Sequence, residues 1–165
     1  MKKTKILSLI LAVFMMLCFM ASCTRNEVEE SGTAKIVIET KESGENKYVV
    51  YEVDLSLLES RDEGALSLLE YIASQEGSTL YYSVNYGGGY GAYINSISPL
   101  NPDALANEYI GVYTTEECDF SVPTEYFPTV STVTYGDATL TYSGVGISSM
   151  TIKDGTVILF RLETY

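Results

Sequence analysis

Asp62–Gln75, DEGALSLLEYIASQ, is the stretch on which the fold turns. Ala65, Leu68, Leu69, Ile72 and Ala73 recur at i, i+3, i+4, i+7 and i+8, which draws one apolar stripe along an α-helix. Asp62 is placed to cap the N-terminus, Glu63 suits the first turn, and Gly77 marks the stop. No other segment carries so strong a helical pattern. A helix with one apolar stripe needs an apolar surface to lie on, and the flanking segments have the period of strands.

Upstream, Ala34–Lys41 (AKIVIETK) and Lys47–Asp54 (KYVVYEVD) are joined by the polar Glu42–Asn46, and together they predict an antiparallel hairpin. Downstream, strands are predicted at Leu80–Tyr86, Ala92–Ile97, Tyr109–Thr114, Thr129–Tyr135, Thr139–Tyr142 and Thr156–Leu162. Lys153-Asp154-Gly155 forms a tight turn before the last of them. Pro99, Pro102, Pro123 and Pro128 punctuate the loops, and Glu116–Pro128 reads as an excursion from the core. The order predicts an α+β domain, with one main helix packed across a mixed sheet.

The N-terminus is of a different kind. Three lysines lie within Met1–Lys5, Ile6–Phe19 is almost wholly apolar, and Met20-Ala21-Ser22 precedes Cys23. This is the layout of a secretory signal peptide, and its apolar run is shorter than the roughly 20 residues a spanning helix needs. Met20–Cys23 resembles the bacterial lipobox, with Met20 where that motif prefers leucine. The resemblance implies that Cys23 receives a diacylglyceryl thioether and becomes the mature N-terminus, anchored in the membrane and facing outside the cytoplasm. An ordinary signal peptide with an incidental cysteine is the alternative. The organisation expected is a signal peptide over 1–22, an acidic tether over 23–33 and one domain over 34–165.

Loss of Lys2, Lys3 and Lys5 from the 10 basic residues leaves 7 against 22 acidic ones. So acidic a surface argues against nucleic-acid binding, which needs a basic stripe. Cys118 is the cysteine left beyond the signal and the lipid site, so no internal disulfide is expected and the core must hold the fold. The sequence has no histidine, which removes the commonest general base and the commonest zinc ligand. It has 14 tyrosines. No catalytic residue, metal site or cofactor is expected, and the composition leans towards binding.

Three segments, in this order, resemble the transcobalamin-like C-terminal domain family, a branch of the soluble-ligand-binding β-grasp folds. They are Gly64–Gln75 (GALSLLEYIASQ), Tyr86–Ile97 (YGGGYGAYINSI) and Val145–Leu162 (VGISSMTIKDGTVILFRL). The likeness covers roughly Ala34–Thr164. It departs from the family at Glu108–Tyr113, which lacks the usual tryptophan, and at Glu116–Gly144, which is longer. The resemblance implies a β-grasp-like mixed sheet and a soluble ligand, with corrinoids as the ligand class. A structural or adhesive module that docks a protein or cell-wall glycan is the alternative.

The candidate ligand surface is the loop Gly87-Gly88-Gly89-Tyr90-Gly91 with its flanking tyrosines. Tyr86, Tyr90 and Tyr93 offer flat faces and hydroxyl groups, while Gly88 and Gly89 allow close backbone approach. Tyr109 and Tyr113, four apart on one strand face, would extend this platform; packing against neighbouring strands is their other reading. Glu116-Glu117-Cys118-Asp119 reads as a solvated acidic turn around an inert thiol.

Overall fold

The computed structural model describes residues 27–87 and 89–164. The signal segment, Cys23 and Gly88 lie outside the described residues.

Strands β1 (Thr33–Glu42) and β2 (Glu45–Asp54) form the expected hairpin, closed by the two-residue turn Ser43-Gly44. Helix α1 (Gly64–Ser74) follows, then β3 (Tyr82–Tyr86), β4 (Ala92–Ile97), β5 (Glu108–Thr114), β6 (Thr132–Tyr135), β7 (Ala138–Tyr142) and β8 (Val157–Thr164). Six of the strands form one sheet in the order β2-β1-β8-β5-β7-β6. The first and last strands, β1 and β8, lie parallel at its centre, and the other pairs are antiparallel. The helix and the mixed sheet therefore form as expected. β3 and β4 stand apart as a separate two-stranded sheet, which the strand pattern alone does not reveal.

The main sheet buries both faces. On one face Ile36, Ile38, Ile158 and Phe160 pack with Leu66, Leu68, Leu69 and Ile72 of α1, and Ala92, Ile94 and Ile97 of β4 join the same core. Each of the leucine, isoleucine and phenylalanine side chains contributes roughly 1.5–3 kcal/mol through removal from water. On the other face Val37, Tyr113, Leu140 and Leu159 form a second, smaller core. That core exists because the β6–β7 hairpin curls over the sheet.

Two local expectations are corrected. Asp62 does not cap α1. The N-cap position falls to Glu63, whose side chain makes no capping bond, and Gly64, the first helical residue, has φ +47°. A Cβ at Gly64 would clash with the Met150 carbonyl oxygen, so the 147–150 turn presses on the helix start where only glycine fits. The acidic turn is also not solvated throughout. Asp119 is fully buried, and its Oδ2 accepts a 2.6 Å hydrogen bond from the Thr151 N–H. Glu116 is half-buried, accepts from the Thr156 hydroxyl at 2.6 Å and pairs with Lys153 at 3.7 Å.

Candidate functional site

The β3–β4 hairpin carries the predicted platform, and its tip is fastened from outside the hairpin. The Gly146 N–H donates to the Tyr90 carbonyl at 2.7 Å, and the Ala92 N–H donates to the Ser148 hydroxyl at 2.8 Å. Tyr86, Tyr90 and Tyr93 are 59%, 60% and 45% exposed, so their rings are available to a partner. Gly89 is exposed beside them, with φ +75°.

Strand alternation divides this set. Tyr86 pairs with Ala92 and Tyr93 with Asn85, which places the two tyrosines on opposite faces of the hairpin. Tyr86 leans over the helix start, where its hydroxyl donates to Glu63 Oε2 at 2.9 Å. That bond, followed by slight burial and the nearby Glu63 and Glu70 charges, raises its phenol above the ordinary value. Tyr82 is raised too, chiefly by burial, then by Glu70 and Glu63.

Tyr93 faces the other way, towards β5 and β7. It lines a small cavity of about 60 Å³ with Tyr142, Val112 and Ile147. Tyr142 hydrogen-bonds Tyr109, and its phenol is pushed up to about 12, first by burial and then by Tyr109, Glu163 and Tyr93. The structure thus connects two predicted residues, Tyr93 and Tyr109, through Tyr142, which sequence reasoning missed. The available signal was its place at the end of an alternating strand; its partner strand was not legible.

Tyr113 does not belong to an exposed platform. It is 1% exposed, and its ring packs edge to face against Tyr142 with centroids 5.4 Å apart. Its hydroxyl donates to Glu163 Oε1 at 2.6 Å and shares a 3.2 Å bond with the Ser131 hydroxyl. Burial, reinforced by the bond to Glu163, raises this phenol far above the ordinary value. The physical reason is the curl of the sheet, which covers the face carrying Tyr109, Gly111 and Tyr113. Gly111 leaves room there: a Cβ would meet Glu163 Cγ at 2.8 Å and Tyr113 Cε2 at 3.2 Å.

Glu163 continues the polar cluster into charge. Arg161 lies between it, at 3.1 Å, and Glu39, at 3.6 Å. The Glu39 side chain is only 4% exposed, so this end of the curled face holds a buried ion pair. Among the described residues, no group of three His, Cys, Asp or Glu is arranged to hold a metal ion. Cys118 is half-buried and forms no disulfide among the described residues.

No protein-family model and no curated protein matches the sequence. In structure the chain is similar to haptocorrin, in a crystal structure of haptocorrin in complex with Cbi, at a TM-score of 0.46 and 13% sequence identity. The likeness covers 82% of this chain and 26% of that one.

Proposed function

We propose that this protein is a non-catalytic, lipid-anchored domain outside the cytoplasm that binds a soluble ligand on its β3–β4 hairpin. The observation that carries the reading is the exposure of Tyr86, Tyr90 and Tyr93 on a hairpin tip fastened by Gly146 and Ser148. A fixed tip presenting aromatic faces loses little conformational entropy when a flat ligand settles on it. Corrinoids are the ligand class implied by the likeness of the Tyr86–Ile97 segment to the transcobalamin-like family. The order β2-β1-β8-β5, with β1 and β8 parallel and α1 against one face, supports reading the central unit as a β-grasp. Absence of histidine from the sequence supports binding over catalysis.

The anchor rests on Met1–Cys23. Tethering at a surface raises local concentration, so modest affinity is enough for capture. Titrating cobinamide into the full chain in detergent micelles tests the reading through the corrin absorbance. A saturable spectral change is expected, weakened about tenfold by Tyr90→Ala or Tyr93→Ala; no change at millimolar ligand would overturn the corrinoid assignment. Mass spectrometry of the N-terminal peptide checks diacylglyceryl on Cys23.

A second reading, docking of a protein or cell-wall glycan, is favoured by one observation. Tyr126 and Phe127 are 84% and 75% exposed on the turn closed by the Thr124–Phe127 hydrogen bonds. It expects retention on cell-wall polysaccharide or a protein partner that Phe127→Ala abolishes, without small-molecule saturation.

A further inference from the structure

The centre of the main sheet forks. β1 and β8 pair only from Lys35–Val157 to Ile38–Phe160, yet β1 continues to Glu42 and β8 to Thr164. On their outer sides both extensions stay paired, β1 with β2 as far as Glu42–Glu45 and β8 with β5 as far as Thr164–Glu108. The fork opens into a groove of about 640 Å³, with Thr40–Glu42 on one wall and Leu162–Thr164 on the other. Pro99 and Leu100 give it an apolar side.

The direction of the peptide groups along these walls follows from two hydrogen bonds. The Lys35 N–H donates to the Thr156 carbonyl at 2.8 Å, so odd-numbered residues of β1 turn their N–H and C=O towards β8. Lys41 therefore faces the fork. The Val157 carbonyl accepts from the Thr115 N–H at 3.1 Å, so odd-numbered residues of β8 face β5, and Leu162 faces the fork from the other side. Among the described residues no strand pair joins Thr40–Glu42 to Leu162–Thr164. Peptide groups at the centre of a sheet are normally paired; here they are presented to whatever enters the groove.

The charge of the lining selects the occupant. Glu39, Glu42, Glu108 and Glu163 stand against Lys41 and Arg161. Arg161 is engaged by Glu39 and Glu163, which closes the inner end of the fork and leaves Glu42 and Lys41 towards the mouth. Glu108 lies there too; its Oε2 accepts from the Asp103 N–H at 2.9 Å, while no cation pairs with its charge among the described residues. The lining is net acidic.

We propose that the fork is a docking slot for an extended, basic peptide segment of a partner protein, which adds a short strand between β1 and β8. Its backbone pairs with the peptide groups of Lys41 and Leu162, and its lysine or arginine side chains meet Glu42 and Glu108. Backbone pairing supplies affinity in this mode of recognition and the side-chain environment supplies selectivity. The slot is separate from the tyrosine surface and does not depend on its ligand.

The probe is the peptide acetyl-Lys-Val-Arg-Val-Lys-amide, titrated into the full isotope-labelled chain in detergent micelles. Saturable binding is expected, with the largest amide shifts at Lys41 and Leu162, and about two- to fivefold weaker binding to Glu42→Gln, a surface ion-pair effect. The same peptide N-methylated throughout keeps its charge and loses strand pairing, and is expected not to bind. Equal binding of the N-methylated peptide, equal binding of acetyl-Glu-Val-Glu-Val-Glu-amide, or no binding at millimolar peptide would each overturn the proposal.

Discussion

The rings of Tyr48 and Tyr135 meet edge to face, with centroids 5.0 Å apart and planes inclined at 67°, although they sit on β2 and β6, the opposite margins of the six-stranded sheet. The sheet therefore curls until its margins touch. Val37, Tyr113, Leu140 and Leu159 fill the inside of the curl, with Val133 and Val157 packed against them. The curl turns each edge strand towards the other, which limits the open edge that would otherwise invite pairing between molecules.

Leu140 is the fully buried centre of the hairpin that makes this curl. Leu140→Ala removes its packing against a face that cannot collapse without uncurling, so a loss of about 2–4 kcal/mol is expected from urea unfolding. Tyr135→Ala breaks the margin contact and removes a partly buried ring from the rim of the inner core, and is expected to cost less, about 1–2 kcal/mol. If Tyr135→Ala proved as costly as Leu140→Ala, the margin contact rather than the inner core would be holding the curl.

Tyr142 links the curl to the candidate site, and its phenol is pushed up to about 12, first by burial. In the unfolded chain it loses its proton near pH 10. Between those values the folded state holds the proton that the unfolded state has given up, so stability falls as pH rises from about 10 to 12. Tyr142→Phe is expected to flatten that alkaline decline, while lowering neutral stability only modestly. Following the midpoint of urea unfolding across this pH range checks the difference in slope.

Local periodicity made much of this fold legible. The β1–β2 hairpin, α1 and the closing strand all carry patterns that repeat within a few residues. Sheet order does not, because it depends on which distant strands share a register. Tyr113 shows the consequence. Alternation correctly groups it with Tyr109 and Gly111, but an exposed face can be inferred only if nothing covers it, and the covering hairpin lies later in the chain. Asp119 misled for a similar reason: an acidic run looks solvated until a buried peptide N–H, here that of Thr151, needs its carboxylate. The tyrosine-glycine cluster at the hairpin tip was readable from the sequence, whereas the exposure of its rings and their division between two faces required the packed structure and the register of β3 with β4.

Gly64 tests the clamp between α1 and the 147–150 turn. Its φ of +47° is strained for any other residue, and an added Cβ would press on the Met150 backbone. Gly64→Ala is expected to cost about 3 kcal/mol or more, combining the left-handed penalty with a clash against backbone. Gly77 is the control: its φ is +78°, and a Cβ there meets nothing within 4 Å. Gly77→Ala should cost only the conformational penalty, about 1–2 kcal/mol. Thermal unfolding of the two variants side by side separates clash from strain.

Asp119 anchors a long stretch of irregular chain. Its carboxylate receives the Thr151 N–H at 2.6 Å, and its carbonyl accepts from the Gly144 N–H at 2.8 Å, so one residue ties the 117–119 turn to the segments on both sides of Ile147. Asp119→Ala leaves the Thr151 N–H buried without this acceptor, and about 2–3 kcal/mol of stability is expected to go with it. Asp119→Asn keeps an oxygen acceptor and is expected to retain the larger part. Glu117, two residues earlier and exposed, belongs to the same acidic run but faces solvent, so Glu117→Ala should stay within about 0.5 kcal/mol of the parent. Because the Ile147–Met150 segment also meets Gly64 and fastens the tyrosine hairpin through Ser148, Asp119→Ala should loosen the hairpin tip as well. Amide hydrogen exchange at Ala92 reads this directly: faster exchange in Asp119→Ala than in Asp119→Asn is expected, and unchanged protection at Ala92 would show that the turn holds the hairpin without help from this carboxylate.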